Sequence, residues 1–175
     1  GKEKTFRRAL KASRSARKFG VNVSRTLFKQ IINELGGKLR LVITGAAALA
    51  PDICRDFEDF GIMVLQGYGM TECTPLITGT PQSASKTRYD KSGSVGVPVE
   101  TGTVRIINPD ENGIGEILFK GPNVMLGYYN LPEATEEVLE DGWLRTGDIG
   151  YFDADGWLFL TGRAKNVIVT NAGEN

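Results

Sequence analysis

A mixed α/β and β fold is what this 175-residue sequence predicts: the end of a parallel-sheet α/β subdomain followed by a small antiparallel β subdomain. Two stretches carry the prediction. In the first, the apolar run Leu39-Arg40-Leu41-Val42-Ile43-Thr44 breaks at Gly45, a helix is expected from Pro51, and a second apolar run covers Ile62–Leu65. A strand–helix–strand order of this kind implies a parallel pair. In the second, from Gly96 onward, short strands at Thr103–Ile107 and Glu116–Lys120 flank Asn108-Pro109-Asp110-Glu111-Asn112-Gly113, a dense turn signal. The chain then reads as a basic helical segment over 1–38, the strand–helix–strand unit over 39–95, a β-rich unit over 96–162 and a closing segment over 163–175.

Taken in order, the opening segment is expected to be helical, because Val23, Leu27, Ile31 and Leu35 fall four apart on one stripe. Asn22 or Ser24 would cap this helix, and Gly36-Gly37 would end it. The ligand edge of the parallel sheet should lie where its strands stop, at Gly45 and Gln66-Gly67. Residues 77–95, rich in Thr, Ser, Gly and Lys, read as a mobile loop. Leu131–Glu140 is expected to be a helix with Pro132 near its start. Ile149–Phe152 and Trp157–Leu160 should form a hairpin about Asp153-Ala154-Asp155-Gly156.

Lys+Arg and Asp+Glu both total 21, so no global field favours nucleic acid, and none is expected as a partner. The charge is unevenly spread, however. Residues 1–29 hold ten Lys/Arg against Glu3 alone, which reads either as a solvated helix face that meets acids elsewhere or as a peripheral contact with a membrane surface. There is no histidine, and Cys54 and Cys73 form no CxxC pair, so both cysteines are expected to be packing residues rather than zinc ligands or a disulfide framework. No apolar run reaches membrane-spanning length and the opening has no secretory pattern, so a cytoplasmic location is expected, with membrane association as the second reading.

The chemistry concentrates in Gln66-Gly67-Tyr68-Gly69-Met70-Thr71-Glu72, where two glycines, an aromatic ring, a hydroxyl and a carboxylate follow an apolar strand. A turn so composed suits a nucleotide: glycine lets backbone approach a ligand, the ring can stack on a purine, Thr71 can donate to phosphate and Glu72 can hold Mg²⁺. Four more segments extend it, namely Leu41–Leu49, Gly115–Tyr128 (GEILFKGPNVMLGY), Trp143–Asp148 (WLRTGD) and Gly162-Arg163 with its sequel (GRAKNVIVTNAGEN). In this order and spacing, over residues 39–175, they resemble the adenylate-forming superfamily of acyl-CoA synthetases, luciferases and peptide-synthetase adenylation domains.

The resemblance implies a place in the large N-terminal domain of such an enzyme, with ATP, Mg²⁺, a carboxylic acid and coenzyme A as its small-molecule partners. It implies that Gly45, Ala46 and Ala47 line the adenine and acyl-carbonyl region, that Gln66, Gly67 and Gly69 belong to the nucleotide site, and that Tyr68 packs against the base. Thr71, Glu72 and Arg163 would be the catalytic set, as phosphate donor, Mg²⁺ ligand and basic group near ribose and phosphate; Asp148 would accept from the ribose hydroxyls. Lys165 falls where the family places a hinge. The absence of histidine suits this chemistry, since a carboxylate already ionised at neutral pH attacks phosphorus without a base.

Two parts of the family pattern have no counterpart here: the Ser/Thr/Gly-rich phosphate loop, expected upstream, and the C-terminal domain with its catalytic lysine, expected after Asn175. The chain is therefore expected to be an internal fragment, inactive alone. Gly45-Ala46-Ala47-Ala48-Leu49, Gly67–Glu72 and Gly173-Glu174-Asn175 are most similar to long-chain fatty acyl-CoA synthetases. Aryl-CoA ligases, peptide-synthetase adenylation domains and a non-catalytic nucleotide-binding module are the alternatives.

Overall fold

Residues 2–19, 21, 23–47, 49–83 and 89–164 are described by the computed structural model. They fall into two units: Gly1–Leu65 with Ser85–Gly93, and Gln66–Ala84 with Ser94–Asn175. The predicted mixture of α/β and antiparallel β elements is what the chain forms.

The first unit holds α1 (Lys2–Lys18), α2 (Ser24–Leu27), α3 (Lys29–Glu34), β1 (Leu41–Thr44), α4 (Pro51–Asp59) and the opening of β2 (Met63–Gly69). The single stripe expected from Val23 to Leu35 is broken at Phe28, where φ −107° and ψ 25° interrupt the helix. Packing explains the break: Phe28 is buried and meets the rings of Phe60 at 5.0 Å and Phe6 at 6.0 Å, so aromatic contacts override local periodicity. Ser24 is the first residue of α2 rather than its cap, and its hydroxyl lies 2.9 Å from that of Ser13. Asn22 lies outside the described residues. Gly36 and Gly37 end the helical stretch with φ of 84° and 73°, which residues with a Cβ rarely adopt.

Helix α4 opens on Pro51 at its first turn, where a missing N–H costs nothing. It ends at Asp59, a fully buried carboxylate that accepts from Arg14 Nε at 2.6 Å and from the Tyr89 hydroxyl at 3.3 Å. Arg17 donates to the Glu58 carbonyl and lies over the Tyr89 ring, 4.5 Å from its centroid. Two of the basic residues of the opening segment therefore meet acids within their own unit, which is how a buried carboxylate is tolerated. Met63 N–H donates to Arg40 O at 2.9 Å, which sets the start of β2 beside β1. Among the described residues no helix is long and apolar enough to cross a membrane.

In the second unit, the end of β2 pairs antiparallel with β3 (Leu76–Gly79), with Gly67 opposite Gly79 and Tyr68 opposite Thr78, and β3 pairs with β4 (Val97–Pro98). This corrects two expectations. Gln66–Gly69 is strand rather than glycine turn, and Leu76–Gly79 is strand rather than loop. Burial alternates along Met63–Gly69, so Val64, Gln66 and Tyr68 point inward, and the polar Gln66 is accommodated because its Nε2 donates to Ser94 O at 3.1 Å. The reversal is made instead by a 3₁₀ turn at Thr71–Cys73, followed by Thr74 at φ 48°.

A second sheet contains β5 (Thr103–Ile107), β6 (Gly115–Lys120), β7 (Leu139–Glu140), β8 (Trp143–Phe152) and β9 (Leu158–Arg163), all paired antiparallel. Its order is β5-β6-β8-β7, with β9 also on β8. Helix α5 (Pro132–Val138) is shorter than expected because Leu139 and Glu140 leave it to pair with Leu144 and Trp143. The β8–β9 hairpin forms as predicted, its turn held by Asp153 Oδ1 accepting from the N–H groups of Asp155 and Trp157. Tyr68, Cys73, Ile77, Val95, Ile117, Phe119, Leu144 and Leu158 make one core. Both cysteines are buried and neither is in a disulfide, as expected of packing residues.

Gly69 sits where β2 crosses close to the chain after the 3₁₀ turn, and a Cβ built there would fall 1.7 Å from Pro75 O. Gly69→Ala must therefore displace backbone, and it is expected to destabilise the protein by about 3 kcal/mol or more in urea unfolding. Gly162→Ala, where nothing lies within 4 Å, should change stability by less than about 0.5 kcal/mol. Equal losses for the two would show that the close approach is not what selects glycine at 69.

Candidate active site

The second unit places one carboxylate within a strand and another within the 3₁₀ turn. The first is Asp148, on β8. Tyr68, delivered by β2 with its ring in the core, donates its hydroxyl to Asp148 Oδ2 at 2.7 Å. Across the hairpin Asp148 is paired in register with Arg163, whose Nε donates to Oδ1 at 3.0 Å. Thr146 Oγ1 donates to Ile117 O and accepts the Asp148 N–H, which fixes the backbone beneath the carboxylate. The side chain of Asp148 is 10% exposed and that of Arg163 69%, so a nearly buried anion has one partner in the core and one at the surface. A neutral phenol and a guanidinium together offset its desolvation. Burial, with the neighbouring Asp148 adding to it, pushes the Tyr68 phenol well above its ordinary range, so at neutral pH Tyr68 is a hydrogen-bond donor.

The second is Glu72, in the 3₁₀ turn. The Tyr128 hydroxyl donates to Glu72 Oε1 at 2.8 Å, and Met125 N–H donates to the Glu72 carbonyl at 2.7 Å. Asn123 Nδ2 donates to the carbonyls of Cys73 and Leu76, which ties the segment after β6 onto the same turn. The hydrogen bond to Glu72, and burial after it, raise the Tyr128 phenol above its ordinary value. Glu72, Tyr128, Thr146, Gly147 and Arg163 line a cleft of about 560 Å³, a volume in the range of small-molecule sites.

Of the residues singled out in the sequence, Glu72 and Arg163 line this cleft, and Asp148 is bonded to Arg163 at its wall. Thr71 is exposed at the head of the 3₁₀ turn beside Glu72. Tyr68 is mostly buried and spends its hydroxyl on Asp148; Gln66 points into the core; Gly67 and Gly69 lie in the β2–β3 ladder. Gly45, Ala46 and Ala47 follow β1 in the first unit, with Ala46 at φ 63°. Lys165 lies outside the described residues. Sequence reading gave no role to Asn123, Tyr128 or Thr146, although all three stand inside quoted motifs. A tyrosine and an asparagine within a strongly turn-forming, glycine-bounded stretch are the signal that was there to find.

Among the described residues no three His, Cys, Asp or Glu side chains gather as a metal site. Three carboxylates, Glu72, Glu116 and Glu137, line the cleft, and Glu116 is paired with Arg145; a cation that takes most of its ligands from phosphates and water, as Mg²⁺ does, would need only one or two such donors. A cleft lined by Glu72 and Arg163, with Asp148 bonded to Arg163 beside it, has the mixture of polar and charged groups of a small-molecule site.

Comparison with known proteins gives the particular family. The chain belongs to the family described as AMP-binding enzyme, which is matched over residues 4–129. It is 40% identical over 164 residues to the long-chain-fatty-acid CoA ligase of Yersinia pestis, covering 87% of this chain and 28% of that protein. It is 39% identical over 166 residues to the sulfoacetate CoA ligase of Cupriavidus necator, covering 89% of this chain and 32% of that protein. The structure of O-succinylbenzoate coenzyme A synthetase from Bacillus subtilis in complex with ATP and magnesium ion is similar at a TM-score of 0.69 and 31% identity, over 86% of this chain and 32% of that one. The chain thus spans about a third or less of the length of these relatives.

Proposed function

We propose that this chain is part of an ATP-dependent acyl-CoA synthetase that activates a carboxylic acid as its acyl-adenylate and passes the acyl group to coenzyme A. The observation that carries the proposal is the Tyr68–Asp148–Arg163 arrangement, which holds a carboxylate at the wall of the cleft that Glu72 lines. In the first half-reaction an oxygen of the substrate carboxylate bonds to the α-phosphorus of ATP, and the bond to pyrophosphate breaks. In the second, the sulfur of coenzyme A bonds to the acyl carbon, its proton is released to solvent, and AMP leaves with the pair of the broken C–O bond.

Asp148 accepts from the vicinal ribose hydroxyls, for which two lone-pair-bearing oxygens are the matching group. Tyr68 fixes that carboxylate from the core side. Arg163, held by Asp148, keeps positive charge at the cleft, where the phosphates gain negative charge as the reaction proceeds. Thr71 donates to phosphate. Glu72 holds Mg²⁺, which when bound withdraws charge from the phosphate oxygens. No side chain needs to remove a proton in the first step, so positioning and charge neutralisation carry the rate.

The acid we favour is a long-chain fatty acid, on the strength of the motif likeness and the fatty-acid ligase relative. The sulfoacetate and O-succinylbenzoate relatives make the family's acids varied, which sets the test. Thioester formation by the full-length protein, assayed with palmitate, a short dianionic acid and an aromatic acid, should give the highest kcat/KM with palmitate. A higher value for either other acid would discard the long-chain assignment and leave the adenylation chemistry standing.

A further inference from the structure

We infer that Tyr128 is a positioning residue for Glu72: the hydroxyl of Tyr128 on Oε1, with Met125 and Asn123 clasping the 3₁₀ turn, aims the other carboxylate oxygen at the divalent cation. The inference rests on the proposed role of Glu72 and extends it to three residues that role does not include. Four hydrogen bonds from one short segment converge here, three on the turn and one on the start of β3. Asn123 Nδ2 reaches the carbonyls of Cys73 and Leu76, Met125 N–H reaches the Glu72 carbonyl, and the Tyr128 hydroxyl reaches the Glu72 side chain. Backbone and side chain of a single residue are thus fixed from the same segment.

The segment is itself anchored. Tyr128 N–H donates to Thr135 Oγ1 at 2.9 Å, and that hydroxyl donates to Leu131 O at 2.9 Å, so the start of α5 holds Tyr128 in place. Gly127, at φ 153°, lets the chain pass: a Cβ there would fall 2.9 Å from the Thr135 methyl. The clasp also carries a cost that a purely structural staple would avoid, because Asn123 Oδ1 is buried with no hydrogen-bond partner among the described residues. Oε2 of Glu72 takes no hydrogen bond from any described residue. A glutamate with one oxygen tethered has lost most of the rotation that a lone side chain must give up on binding a metal, which is how partners of metal ligands raise affinity.

Tyr128→Phe keeps the ring and removes only the donor. In the full-length protein, with a non-hydrolysable ATP analogue present, Mn²⁺ binding followed by electron paramagnetic resonance should weaken roughly tenfold, with the thermal midpoint unchanged. Glu72→Gln should weaken Mn²⁺ at least as much, and adding Tyr128→Phe to it should cause no further loss. If Glu72→Gln weakens the metal and Tyr128→Phe does not, the positioning role is overturned while the metal role of Glu72 stands. Additive losses in the double variant overturn it too, since Tyr128 would then act elsewhere. If neither single variant alters Mn²⁺ affinity, the assignment of Glu72 falls and the inference falls with it.

Discussion

Asp148→Ala in the full-length protein is expected to raise the ATP concentration for half-maximal pyrophosphate release by between tenfold and over a hundredfold. A hydrogen bond to a charged group contributes roughly 1.5–3 kcal/mol, and the variant removes the acceptor proposed for the ribose. The structure adds a second consequence. The Tyr68 hydroxyl would be stranded in the core with its acceptor gone, so stability should also fall, by about 1–3 kcal/mol. Combining Asp148→Ala with Tyr68→Phe separates the two effects, because it removes the stranded donor and should restore most of the lost stability without restoring nucleotide affinity. Titration with a fluorescent ATP analogue, alongside urea unfolding, reads both. Unchanged nucleotide affinity in a folded Asp148→Ala protein would leave the Tyr68–Asp148–Arg163 group as a structural lock between β2 and the β8–β9 hairpin.

Glu72→Gln is expected to move the Mg²⁺ dependence of pyrophosphate release upward by roughly tenfold or more, since an amide is a poorer ligand for a hard cation than a carboxylate. The substitution is informative because it keeps the shape of the site: the Gln oxygen can still accept from Tyr128, and the turn is held by backbone carbonyls that the variant retains. Maximal velocity at saturating Mg²⁺ should recover in large part. Superimposable Mg²⁺ titrations for variant and parent would assign Glu72 to the clasp alone.

Part of the candidate site was legible in the sequence because its residues fall in short glycine-containing motifs. Glu72, Asp148 and Arg163 could each be named from their motif, and the last two prove to be bonded to one another. Their pairing could not be counted out from the hairpin turn. Phe152 faces Leu158 and Gly150 faces Leu160, but a bulge follows, so that Ile149 faces Gly162 and Asp148 faces Arg163. Without that extra residue, counting places Asp148 opposite Gly162. One irregularity, invisible to an alternating pattern, brings the ion pair together.

The strand reading failed where burial and composition disagree. Leu76–Gly79 buries only Ile77 and Thr78 fully, a stretch too short for alternation to register against its polar neighbours. Helix periodicity from Val23 to Leu35 was real in sequence but was interrupted by the aromatic group of Phe6, Phe28 and Phe60, whose members are far apart along the chain. The Tyr128–Glu72 bond likewise joins residues 56 positions apart, and no local signal encodes such a contact. Long-range packing, rather than propensity, decided each of these points.

The most direct test of adenylation is isotope exchange. The full-length protein should move label from radiolabelled pyrophosphate into ATP only when a carboxylic acid is present, and should do so without coenzyme A, because the acyl-adenylate forms reversibly before the thiol is needed. Exchange should fall in the Asp148→Ala and Glu72→Gln proteins and be recovered in part by raising ATP in the first and Mg²⁺ in the second. A folded protein that binds ATP yet shows no acid-dependent exchange with any acid tested would contradict the account and leave a nucleotide-binding module without ligase chemistry.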